Sequence, residues 1–147
     1  MTLPDTLARN RVIFTHFDSY SMALLFPRWG TTLLWPAALP DSATPMAAPP
    51  ADLGAGHDCD AVKQAAVEAC GLNADELVVA QDFNLWVQTP DGPVRIHLLR
   101  FNTPDAPKAA LAALGGDMKP MSLLRGSAMS ELALLREVYN RLVGGTG

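Results

Sequence analysis

The run LWVQTPDGPVRIHLLRF, Leu85 to Phe101, sets Trp86, Arg95 and His97 on either side of a tight turn. Arginine offers a planar fork for a carboxylate or phosphate, and tryptophan a surface on which an aromatic or cationic group stacks. Together with His97 they could hold a small anionic or aromatic ligand. The same residues also suit plain packing, because cross-strand pairs stabilise a sheet by roughly 0.2–1 kcal/mol. No serine, cysteine or carboxylate is fixed beside His97 by sequence spacing, so catalysis has no local support there.

Two further clusters carry possible chemistry. In LLRGSAMSE, Leu123 to Glu131, a short loop with Gly126 leads into a helix whose free amides, with Arg125 and Ser127, could hold a phosphate or carboxylate. Ser127 as an ordinary helix cap competes with that reading. In GHDCD, His57, Asp58, Cys59 and Asp60 sit within four residues, with Cys70, His16 and His97 elsewhere. A zinc site draws three or four ligands from paired motifs, and this set is incomplete, so no metal and no cofactor are expected. Asp58 and Asp60 are equally suited to capping a helix and facing the positive end of its dipole. The chain has no GxxxxGK[ST], GxGxxG, GxSxG, HExxH or EF-hand loop.

The elements that would position these residues follow from pattern. Asp91-Gly92 flanked by alternating apolar residues predicts a β-hairpin over about Asn84–Phe101 with those two residues as its loop. That register sets Trp86 opposite His97 and Gln88 opposite Arg95. It sends Phe83, Leu85, Val87, Val94, Ile96 and Leu98 to the core and Asn84, Trp86, Gln88, Arg95 and His97 to the other face. Helices are predicted over Asp60–Cys70, stopped by Gly71, over Asp105–Leu114, and over Ser127–Val143. The last carries a face of Leu132, Leu135, Tyr139 and Leu142, broadened by Met129, Leu134 and Val138. Glu76–Ala80 reads as a strand and KPMSLLRG as a short one. Met22–Phe26 and Thr31–Trp35 read as two core segments around a turn, the rest of residues 1–35 being unassigned. This order points to an α+β fold: a small antiparallel sheet built around the hairpin, with helices packed on one side.

Composition bounds the rest. At 147 residues one domain is expected, interrupted by a Pro/Ala-rich connection at about 36–56 that holds five of the twelve prolines. That stretch reads as a surface wrap, a linker or a binding loop. A net charge of −4 with dispersed Lys and Arg leaves no basic footprint for nucleic acid. Ser21–Pro40 approaches the length of a membrane span, but Pro27, Arg28 and Gly30 would lie at its centre, where an arginine costs about 2.5–3.5 kcal/mol. Two cysteines and an N-terminus without the order of a secretory signal indicate a reduced, cytoplasmic setting. The expectation is a non-catalytic binding or accessory protein acting through protein contact or as a homodimer; Trp, Met and an excess of Arg over Lys, residues enriched at interfaces, support it. The competing expectation is a small enzyme or ligand-binding domain with an anion pocket near His97, Arg95 and Arg125.

Overall fold

The computed structural model of the chain describes residues 10–18, 23–30, 32–35, 37–39, 42–46, 58–80, 83, 85–90, 92–103, 108–124 and 129–140. Seven strands form one mixed sheet: β1 (Asn10–Asp18), β2 (Ala23–Trp29), β3 (Thr44–Pro45), β4 (Leu77–Val79), β5 (Leu85–Thr89), β6 (Gly92–Phe101) and β7 (Gly116–Pro120). Their order is β3-β5-β6-β1-β2-β7, with β4 beside β6 further along the same strand. Among the described residues three α-helices accompany them, α1 (Cys59–Cys70), α2 (Lys108–Ala112) and α3 (Met129–Tyr139).

The expected small antiparallel sheet is therefore corrected. The central pairing joins β1 to β6 in parallel, from Asn10 opposite Arg95 to His16 opposite Phe101. Sequence alternation shows which way side chains point but not which distant strand lies alongside, so this pairing was invisible in it. Strand β1, NRVIFTHFD, is buried from Val12 to His16 without a break. Such a run marks a strand covered on both faces, which shows no alternation to read.

Both faces of the sheet are in fact covered. Ile13, Phe26, Val87, Val94, Ile96 and Leu98 pack with Leu134, Leu135 and Val138 of α3. Val12, Phe14, Leu99 and Phe101 pack on the other side with Val62 and Ala66 of α1, Leu111 of α2, and Trp35. Helices thus lie on two sides rather than one. The second core is rich in rings: Phe14 stacks on Phe101 with centroids 5.7 Å apart and meets Trp35 edge-on at 5.9 Å.

The hairpin register is also corrected. Thr89 pairs with Gly92 and Trp86 with Arg95, so each β5 residue meets a partner two positions earlier in β6 than expected. Pro90 follows Thr89 directly, at the turn. Proline presets the φ of the first central position of a common turn, with glycine favoured at the end, and this outweighs the Asp-Gly preference. Gly92, at φ 124, takes a backbone conformation open to glycine. A shift of two residues leaves every side chain on its expected face.

Other boundaries moved for local reasons. Helix α1 starts one residue earlier than expected, because Asp58 accepts the Ala61 N–H at 3.0 Å, and it ends at Gly71 in the left-handed conformation, φ 66. Helix α2 is short, and the chain then enters β7 at Gly116, where no strand was expected. KPMSLLRG is not a strand of its own: Lys119 and Pro120 end β7, and Met121–Leu124 form a 3-10 turn. On α3 the buried stripe is Glu131, Leu134, Leu135 and Val138, while Tyr139 is exposed. Reading apolar residues alone moved the predicted face by about one position, since its first member is a carboxylate.

Candidate functional site

Trp86, Arg95 and His97 do share one face, the face that meets α1 and α2. The cross-strand partner of Trp86 is Arg95, whose guanidinium carbon lies 5.8 Å from the indole centroid, a cation–π distance. His97 lies two residues further along β6 and is 1% exposed. Its Nε2 donates to Asn10 Oδ1 at 2.7 Å, across the parallel β1–β6 pair. Asn10, also buried, is the residue that sequence spacing could not connect with His97, since 87 positions separate them. Arg125 and Ser127, the other members of the expected ligand set, lie outside the described residues.

Cys59, the first residue of α1, comes within electrostatic reach of Arg95. Burial raises its thiol above the ordinary cysteine range, and the positive charge of Arg95 acts in the opposite direction. A buried thiol held protonated packs as a small apolar group. Of GHDCD, Asp58 serves as the cap of α1, Cys59 is buried and Asp60 is exposed in the first turn, while His57 is outside the described residues. The remaining histidine, His16, is 1% exposed and donates through Nε2 to the Thr103 carbonyl at 2.9 Å.

Trp29 and Trp35 belong to the ring cluster around Phe14. Trp35 also exchanges backbone hydrogen bonds with Val12, at 2.8 and 2.9 Å, so the Thr32–Trp35 run lines the sheet as a buried segment rather than a strand.

A second region emerges on the opposite face, at the β3 edge. A groove of about 260 Å³ lies between β5, α3 and part of the Pro/Ala-rich stretch. Leu39, Pro45 and Met46 form one wall, Leu85 and Val87 the floor, and Leu134 and Glu137 the other wall. Thr44–Pro45 is held as a strand against Gln88 and Val87, and the Met46 N–H donates to the Trp86 carbonyl at 2.9 Å. Part of the Pro/Ala-rich stretch is thus tied into the sheet. Among the described residues the lining is apolar apart from backbone and the Glu137 carboxylate. The volume is below the roughly 300–1,000 Å³ of pockets that enclose drug-sized ligands and suits one or two side chains. Sequence reading did not find this groove, because its walls come from three stretches some forty residues or more apart; the signal available was Leu39 and Met46, large apolar residues in a stretch made mostly of Pro, Ala and small polar residues.

Among the described residues no helix is long and apolar enough to cross a membrane. Neither known protein-family models nor curated proteins match this chain.

Proposed function

We propose that this chain is a non-catalytic binding protein that works by taking an apolar side chain of a protein segment, from another protein or from a second copy of itself. The groove between β3, β5 and α3 carries this reading: it is open, apolar and of side-chain size. Strand addition at the same edge is poorly served, because β3 is two residues long and Pro45 has no N–H to give a further strand. A partner is therefore held by side-chain insertion. Cys59 and Cys70 are free thiols at opposite ends of α1, about 16 Å apart at 1.5 Å per residue and unable to pair with each other; this suits a reducing compartment such as the cytoplasm.

The test uses the full chain and fluorescein-labelled peptides, each with one leucine, methionine or phenylalanine in an otherwise polar sequence, read by fluorescence anisotropy. Apolar-centred peptides should bind better than an alanine-centred control. Ala133→Trp, at an exposed position on the rim, should block the groove and abolish that binding without changing thermal unfolding. Equal binding of the alanine control, or full binding to Ala133→Trp, would overturn the reading. Sedimentation across a dilution series then decides whether a second copy is the partner.

A further inference from the structure

We infer that the segment taken by this groove carries a lysine or arginine next to its apolar residue, and that Glu137 recognises that charge. The inference rests on the groove being a binding site for a protein segment, and it specifies the chemistry of the occupant. Among the described residues Glu137 is the only ionisable side chain lining the groove. It is exposed, and among the described residues the ion pair present is Lys119 with Asp117, which leaves Glu137 without a cationic partner there. Arg136 precedes it on α3, but consecutive helical residues point about 100° apart, and Arg136 does not line the groove.

Glu137 and Leu134 lie one turn apart on α3, so the carboxylate borders the apolar wall of the groove. A bound ammonium or guanidinium pairs with that carboxylate, while the apolar floor of Leu85 and Val87 receives the neighbouring side chain. The net charge of −4 favours encounter with a basic segment and opposes an acidic one.

The experiment compares three labelled peptides identical except at the positions flanking a central leucine, which are lysine, glutamine or glutamate. The intact chain should bind the lysine form more tightly than the glutamine form by roughly two- to fivefold, the range of an exposed ion pair, and the difference should shrink as salt is raised. Glu137→Gln should remove the lysine preference while leaving the dependence on leucine. Glu68→Gln changes the net charge equally at an exposed site on α1, outside the groove, and should leave the preference intact. A lysine preference that survives Glu137→Gln, or that falls equally in Glu68→Gln, overturns the role of Glu137. Leucine-dependent binding with no lysine preference overturns this inference alone. Loss of leucine dependence in the unsubstituted chain overturns the binding function as well.

Discussion

The Glu131 carboxylate, near the start of α3, accepts the backbone N–H of Leu33 at 2.9 Å, joining positions 98 residues apart. It also accepts the Thr32 hydroxyl, which in turn accepts the Leu34 N–H at 3.0 Å. Glu131 is 4% exposed, so these donors satisfy a carboxylate withdrawn from water. The non-strand segment after β2 is thereby anchored to the helix that covers the first core. Glu131→Ala strands two buried donors and should destabilise the protein by about 2–4 kcal/mol, each orphaned group costing roughly 1–3 kcal/mol. Glu131→Gln keeps an acceptor and should lose less. Urea unfolding checks both, and equal losses in the two variants would show that the hydrogen bonds are not what matters.

Gly116 stands opposite Trp29 across the β2–β7 pair. A Cβ at Gly116 would come within 2.8 Å of Trp29 Cζ3, a distance real contacts do not tolerate, so the indole lies directly on the glycine. Gly116→Ala should cost about 1–3 kcal/mol through overpacking. In a Trp29→Leu background the same change should be much cheaper, because the ring that it strikes is gone. A double-mutant cycle by thermal or urea unfolding measures this coupling, and additive losses would place the strain elsewhere.

Much of the hairpin could be read from the sequence because period-two alternation survives even when the register does not. Val94, Ile96 and Leu98 face one core and Leu99 and Phe101 the other, although the turn lies one residue earlier than Asp91-Gly92 suggested. Helix α1 was legible for a similar reason, since Asp58 and Gly71 are local start and stop signals. The seven-strand sheet was not, because the choice of β6 as neighbour of β1 depends on contacts between residues more than eighty positions apart. For the candidate sites the limits were the same. Shared parity placed Trp86, Arg95 and His97 together, whereas Asn10 as partner and α1 as cover come from other parts of the chain. The groove needed Leu39, Val87 and Glu137 in one place, which no local pattern encodes.

The His97–Asn10 hydrogen bond makes a separate prediction about the Trp86, Arg95 and His97 face of the hairpin. With both residues buried, Asn10→Ala should leave the imidazole N–H without its acceptor and cost about 1–3 kcal/mol, and His97→Ala should cost at least as much because a ring-sized space opens. The two losses should couple by roughly 0.5–3 kcal/mol in a double-mutant cycle, as expected of residues in contact. Additivity would mean that the short Nε2–Oδ1 distance contributes nothing. If the region holds an anion instead, phosphate should raise the unfolding temperature of the unsubstituted chain and lose that effect in Arg95→Gln; a rise that persists in Arg95→Gln would place the anion elsewhere.

Cys70 gives the pH dependence. Burial at the end of α1 pushes its thiol up to about 11 from an ordinary 9.0. Between those values the unfolded chain releases the thiol proton while the native chain retains it, so the unfolded state binds fewer protons and stability falls as pH rises. Below pH 9 both states hold the proton, and Cys70 contributes no slope. The urea midpoint should therefore drop more steeply from pH 9 to pH 11 in the unsubstituted chain than in Cys70→Ala, where other groups that titrate in this range still act but the thiol does not. The comparison isolates the thiol, since Cys59 is present in both. Parallel curves over that window would mean that the Cys70 thiol ionises as readily in the folded protein as in the unfolded chain, and that its place against the second core leaves it open to water.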